Sequence, residues 1–292
     1  AAAALLALDR FVLKLAYVVH AAVHAESNPT GTLSSMVYMA YNQRSLFVTG
    51  VWTTVQLALA GTAIAFVLAL LMVFLRIQEP DKRNNDFVKI IKIVANKFAR
   101  FYIFVIRGTP MMVQSLIFYY AIFNLFKRTG MSVTEINRVW SLFISGLVTV
   151  SLNSTAYLAE VLRGGILAVD AGQMEAARSL GMTHWQAMRR VVFPQAIKNS
   201  LPAIGNEFII NIKDSSVLCV LGVSDLMFMT RSVAGIYYKG TECYLIAATV
   251  YLFLTYLSSL LLKAITGRMT APDNTKRRQG NQTVDLGLPS SN

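Results

Sequence analysis

Three polar side chains, Asn153, Tyr157 and Glu160, follow one another at intervals of four and three residues in a stretch that carries no charge between Arg138 and Glu160. That spacing stacks them on one face of a helix. A carboxylate at the centre of an apolar bilayer helix costs about 2.5–3.5 kcal/mol on insertion scales, so it usually faces a cavity or a partner. Glu160 is therefore a candidate to receive an ammonium group or a basic side chain. Arg107, with Gln114 after it, is the matching candidate for a carboxylate, whose geometry suits the planar guanidinium fork. Such a set would hold a small zwitterion, and Lys213 and Asp214 are candidates to line the same path. Each residue also has a structural alternative. Glu160 can pair with Arg163 one turn away, Arg107 can bond backbone carbonyls freed by Pro110, and Lys213 and Asp214 can neutralise each other.

Other reactive chemistry is missing from the sequence. His20, His24 and His184 are too scattered for a catalytic cluster, and Cys219 and Cys243 lack metal-ligand spacing, with nothing to support a disulfide between them. No Gly-x-x-x-x-Gly-Lys-Ser/Thr run occurs, so no phosphate cradle is present to hydrolyse ATP. No catalytic residue and no metal ligand is assigned, and no cofactor is expected on this chain.

The elements that must position these residues are membrane helices. Hydrophobic residues make up 55% of the 292 positions and charged residues only 14%, against about 25% charged in soluble domains. Four stretches lack Lys, Arg, Asp and Glu altogether: Arg44 to Arg76, Arg107 to Lys127, Arg138 to Glu160, and Glu242 to Lys263. Each approaches the ~20 residues that a helix needs to cross the hydrocarbon core. Five spans are expected, near Leu46–Leu75, Met111–Phe126, Val139–Leu162, Pro202–Met229 and Tyr244–Leu262. The first ~25 residues, interrupted by Asp9, Arg10 and Lys14, are a sixth span, an interfacial helix or a signal remnant. Thus residues 1–45 form an N-terminal segment, 46–269 the membrane domain, and 270–292 a polar tail expected to be disordered and cytoplasmic.

The net charge of +12 would point to nucleic acid in a soluble protein, but here it reports topology. With the first span running inward, segments on the cytoplasmic side hold sixteen Lys and Arg and external segments six. That asymmetry places the N-terminus outside and the C-terminus in the cytoplasm. Lys89, Lys92, Lys97 and Arg100 fall within an arc of roughly 140° on the segment Phe87–Ile106. This reads as a helix in the cytoplasmic interface with its basic face toward lipid phosphates or water. Pro110 should break it before the second span.

Between the third and fourth spans lies a polar, basic insertion, residues 164–201. Glu175–Leu180 is helix-prone, Gly181 breaks it, and Thr183 is a credible N-cap for a second helix that ends near Pro194. Its apolar Ala176, Ala177, Leu180, Trp185 and Val191 cannot all be buried in one hairpin, so the element suits a groove on a partner.

The segment resembles the cytoplasmic loop of ATP-binding cassette (ABC) importer permeases. Glu175-Ala176-Ala177, three residues, Gly181, nine residues, then Val191, Phe193 and Pro194 match its pattern, although the family usually has Ile and Leu at the positions of Val191 and Phe193. Arg107-Gly108-Thr109-Pro110 with Gln114, Ala156 to Glu160 with Arg163-Gly164-Gly165-Ile166, Gly172-Gln173, Pro194-Gln195-Ala196, Leu201-Pro202 and Lys213 to Ser216 resemble the branch for polar amino acids. The resemblance spans roughly Leu46 to Gly267.

It implies an all-α membrane fold of about five transmembrane helices, like a type I ABC importer transmembrane domain, in the bacterial cytoplasmic membrane. It implies that Glu175, Ala176, Ala177, Gly181 and Trp185 belong to a coupling helix that plugs into an ATPase subunit, which binds the ATP and Mg. The expected partners are an ATPase dimer, an extracytoplasmic amino acid-binding protein and a second permease subunit. The alternatives are an ion-coupled secondary amino acid transporter, which would not need the loop, and a membrane enzyme, for which no reactive cluster exists.

Overall fold

The computed structural model describes residues 2–77 and 85–269. Among these the fold is helical throughout. Helices α1 (Ala2–Val23) and α2 (Thr32–Asn42) precede α3 (Arg44–Ile77), α4 (Asp86–Arg107), α5 (Met111–Arg128), α6 (Val133–Val139) and α7 (Leu142–Leu167). Then come α8 (Ala171–Ser179), α9 (His184–Ala187), a π turn over Met188–Val192, α10 (Phe193–Asp214), a 3-10 turn over Ser215–Val220, α11 (Leu226–Tyr237) and α12 (Gly240–Met269). The expected disordered tail lies outside the described residues.

Among the described residues, three helices are long and apolar enough to cross a membrane: α3, α7 and α12. At 34 residues, α3 extends about 50 Å at 1.5 Å per residue, well beyond the ~30 Å hydrocarbon core. Helices α4 and α5 make a further candidate span, bent by 112° at the break between them. That break falls at Pro110, as the sequence predicts. The fourth expected span, Pro202–Met229, is not a single helix. α10 begins earlier, at Phe193, and ends at Asp214, where a 3-10 turn, Gly222 at φ +90° and a separate α11 take over. A run of apolar residues concealed this, because Gly222 in the left-handed region and the N-cap carboxylate of Asp225, which accepts from the Phe228 amide at 2.9 Å, stop one helix and start another.

Helix α7 is central and packs on α3, α4, α5 and α10. Small side chains allow the approach: a Cβ on Gly61 would lie 2.5 Å from Val150 Cγ1, and one on Gly165 2.0 Å from Ser200 Oγ. In a bilayer, where apolar contact alone gains little between helices, such close packing and interhelical hydrogen bonds hold a bundle together. Ser154 Oγ donates to Asn211 Oδ1 (2.9 Å), and Asn211 Nδ2 donates to Thr62 Oγ1 (2.8 Å), joining α7, α10 and α3 in a buried chain. Tyr102 donates to the Leu152 carbonyl at 2.6 Å and fixes α4 to α7. An apolar cluster of Ala65, Ala69, Val73, Ile103, Ile106, Leu158 and Leu162 fills the space between α3, α4 and α7.

The other end of the bundle is closed by short elements. Lys239 Nζ donates to the Pro29 carbonyl (2.8 Å) and Ser35 Oγ (2.9 Å), tying α2 to the start of α12. A capping box starts α6, in which the Ser132 hydroxyl and amide hold the Glu135 carboxyl below its usual range. Cys219 and Cys243 are both free thiols.

Candidate substrate pathway and coupling loop

Pro110 has no N–H, so the Ile106 carbonyl four residues back loses its helical donor. Gln114 replaces it. Its Nε2 lies 2.7 Å from Ile106 O, 2.9 Å from Thr109 O and 2.8 Å from Thr109 Oγ1. Its Oε1 accepts from Asn153 Nδ2 at 3.0 Å, across to α7. Gln114 is 4% exposed, so this amide is consumed in holding the break open. The sequence offered Arg107 as the group that satisfies the freed carbonyls; Gln114 does so instead.

That leaves the Arg107 guanidinium exposed. It sits over the Tyr157 ring, 5.3 Å from the centroid, in cation–π contact. No carboxylate is paired with it among the described residues. Arg107, Gln114, Asn153 and Tyr157 therefore form one contiguous set, with Asn153 and Tyr157 held by α7 and the other two by the ends of the broken helix.

Glu160 is one turn beyond this set and faces other partners. Its two carboxylate oxygens are taken by Arg76 of α3 and by Arg163, the latter at 2.9 Å. The pairing with Arg163 was legible from spacing; Arg76, 84 positions away in sequence, was not. Arg76, Glu160 and Arg163 thus form a partly exposed three-residue clamp between α3 and α7, and the Asn96 amide donates to the Arg76 carbonyl at 2.7 Å. Asp214 and Lys213 are exposed at the C-terminal end of α10; among the described residues no direct ion pair joins them, although the Lys213 charge acts on the Asp214 carboxylate.

Glu207 was not among the residues singled out from the sequence. It is 7% exposed on α10 and lies against the Ser154 hydroxyl. Its spacing of four from Asn211 was the available signal that α10 has a polar face turned inward.

In the loop, α8 ends where Gly181 adopts φ +84°. Nothing lies within 4 Å of a Cβ built there, so glycine is required by the backbone and not by space. Thr183 caps α9 reciprocally with Gln186, as its sequence position foretold. The second helix does not end near Pro194. The chain passes through the π turn Met188–Val192 directly into α10, with Pro194 in its first turn. The wider π turn relieves the clash between the proline ring and the preceding turn that would otherwise break the helix. Glu175, Ala176, Gly181 and Trp185 are exposed, whereas Ala177 is buried. Leu180 is 81% exposed, and the Trp185 ring meets Phe74 edge-on at 5.7 Å.

Residues 91–271 match the family described as binding-protein-dependent transport system inner membrane component. The chain belongs to that family. It is 34% identical over 176 residues to the glutamine transport system permease protein GlnP of Escherichia coli strain K12, covering 60% of this chain and 76% of that protein. Identity is 31% over 214 residues to the nopaline transport system permease protein NocM of Agrobacterium fabrum, covering 72% of this chain and 82% of the relative. A crystal structure of an amino acid ABC transporter with histidines superposes with a TM-score of 0.65 at 39% identity, covering 78% of this chain and 95% of that one. A methionine ABC transporter shares the fold at 19% identity and a TM-score of 0.61.

The fold is that of a type I ABC importer transmembrane domain. The chain is a transport subunit and not an enzyme. Membership of a binding-protein-dependent system removes the ion-coupled alternative.

Proposed function

We propose that this permease subunit conducts polar amino acids across the cytoplasmic membrane and that Arg107, lying on Tyr157, receives the substrate carboxylate. The observation that carries this reading is an exposed guanidinium stacked 5.3 Å from an aromatic centroid, with no acidic partner among the described residues. A guanidinium held in this way keeps its donors for an incoming planar anion. Gln114 and Asn153 set the position of that fork, and Glu160, with both oxygens engaged by arginines, serves the scaffold. The names of the relatives, which specify glutamine and nopaline, support an amino acid class without choosing a member of it.

The exposed loop Ala171–Val192 is the docking element for an ATPase dimer, which supplies ATP and Mg, and this surface is cytoplasmic together with the C-terminus. A second permease subunit completes the pathway, and an extracytoplasmic binding protein delivers substrate. The sixteen-to-six distribution of Lys and Arg supports that orientation.

The test is ATP-driven uptake by the reconstituted complex, with the amino acid first identified by a thermal-shift screen. Arg107→Ala should lower uptake by at least tenfold, about 1.4 kcal/mol, and Arg107→Lys should restore little because the ammonium lacks the fork. Uptake unchanged in Arg107→Ala would remove Arg107 from the pathway.

A further inference from the structure

Among the described residues one non-glycine residue has a positive φ: Tyr238, at φ 55° and ψ 29°, in the turn between α11 and α12. It is also 93% exposed. In the left-handed region a Cβ crowds the carbonyl that follows it, and glycine or asparagine closes such a turn with less strain. What tyrosine adds is the ring, and strained backbone of this kind clusters where a side chain has a task.

Both neighbours of Tyr238 are pinned. The Tyr237 hydroxyl accepts from Gln43 Nε2 at 3.2 Å, and the Tyr237 ring meets Tyr38 edge-on. Lys239 Nζ donates to the Pro29 carbonyl and to Ser35 Oγ. The turn is therefore fixed against α2, with the Tyr238 ring held clear of the bundle.

The same bonds set the level of the turn. Gln43 immediately precedes α3 and Lys239 immediately precedes α12, so the two spans begin side by side. Only 11% of the apolar window of α12 is buried, which leaves its surface to lipid. Farther along the two helices the large exposed side chains include Val48 and Leu59 on α3 and Leu252 and Phe253 on α12. At the level of the turn tyrosines take over: Tyr41, with the Arg44 guanidinium 4.9 Å from its ring centroid, and Tyr244, both close to half exposed. Rings with one apolar body and one polar tip collect where hydrocarbon gives way to head groups. Tyr238 continues that rim from the lipid-facing side of α12.

We infer that Tyr238 is a bilayer anchor, its ring lying in the head-group layer at the end of the bundle away from the coupling loop and its hydroxyl turned to lipid ester oxygens and water. It holds the α11–α12 hairpin at a fixed depth, and through Tyr237 and Lys239 it holds α2 and the start of α3 at the same depth. The ring is uncharged, so the partner is the interfacial layer itself and a zwitterionic lipid suffices.

The test uses the full chain in phosphatidylcholine nanodiscs. Hydroxyl-radical footprinting of the wild-type protein, read by mass spectrometry, should find Tyr238 modified several-fold more slowly than in the unfolded chain, although it is the most exposed tyrosine of the protein taken alone. Modification at the unfolded rate would place the ring in water and overturn the anchor. Protection that appears only after a binding protein is added would assign the ring to a protein contact and also overturn it. Tyr238→Trp gives a second reading, taken as the difference from the parent with its three tryptophans. Its emission should be quenched more strongly by phosphatidylcholine brominated high on the acyl chain than by lipid brominated near the chain end, and weakly by aqueous iodide. Quenching by iodide alone, or equally by both bromolipids, would remove the ring from the head-group layer and overturn the inference.

Discussion

Replacing Gln114 tests whether the helix break is held by one side chain. The amide caps the carbonyl that Pro110 orphans, bonds Thr109, and accepts from Asn153. In Gln114→Met, a substitution of similar volume, the Ile106 carbonyl and the Asn153 amide both lose their partner while remaining buried. Each unsatisfied group costs about 1–3 kcal/mol in a protein interior, and interhelical bonds in membranes sit at the low end of such values. Two groups near the lower bound give about 2–3 kcal/mol. Gln114→Ala adds an unfilled space worth about 1 kcal/mol more. Equilibrium unfolding in mixed micelles, followed by tryptophan fluorescence, measures both. A double-mutant cycle with Asn153→Ala isolates the single bond between α5 and α7, expected at about 0.5–1.5 kcal/mol. If Gln114→Met unfolds within about 0.5 kcal/mol of the parent, the break is held by the surrounding packing, and the assignment of Gln114 as its latch is wrong.

Gly181→Val should leave insertion intact, since the position is open and exposed, but at φ +84° it strains the turn by about 1–2 kcal/mol; ATP-driven uptake should fall while basal ATPase persists, and normal uptake would count against the docking role. Glu160→Gln removes the charge from two arginines, one of them 39% exposed, so a screened loss of about 1–2 kcal/mol in stability is expected with substrate affinity unchanged. Lost affinity with full stability would return Glu160 to the pathway. Trp185→Ala frees the loop from Phe74 and should cost about 0.5–1.5 kcal/mol in aromatic contact; combined with Glu160→Gln, its effect on substrate-stimulated ATPase should be non-additive, and strict additivity would mean the two positions are not coupled.

Much of this fold was written in one-dimensional patterns. The charge-free stretches gave α3, α7 and α12, Pro110 gave the α4–α5 break, and Gly181 with Thr183 gave the bend of the loop, because each depends on a local property of the backbone or on a single solvent. What escaped was set by partners distant in sequence or by compensation. Pro194 reads as a helix end until the π turn before it widens to accept the ring. The 202–229 run reads as one span because hydropathy does not register a glycine in the left-handed region. Asn153, Tyr157 and Glu160 were placed correctly on one face, yet that face divides between two tasks, and only the position of Arg76 at the end of α3 separates them.

That division has a mechanical consequence. The coupling loop continues without a break through the π turn into α10, which is locked to α7 by Ser154–Asn211 and to α3 by Asn211–Thr62. On the other side Trp185 touches Phe74, two residues before Arg76, and Arg76 grips Glu160 one turn below Tyr157. A displacement of the loop therefore meets α3, α7 and α10 as one body. The broken pair α4–α5 is joined to that body by the Tyr102 hydroxyl, the Gln114–Asn153 bond and the Arg107–Tyr157 contact as well as by apolar packing. Proline-broken helices bend where their backbone ladder is already interrupted. Arg107, the proposed carboxylate receptor, stands on the broken pair and its aromatic support Tyr157 on α7, so any shift of one against the other would change their separation. In the proposed function this would make substrate affinity depend on the state of the loop, the differential interaction that a coupled transporter needs.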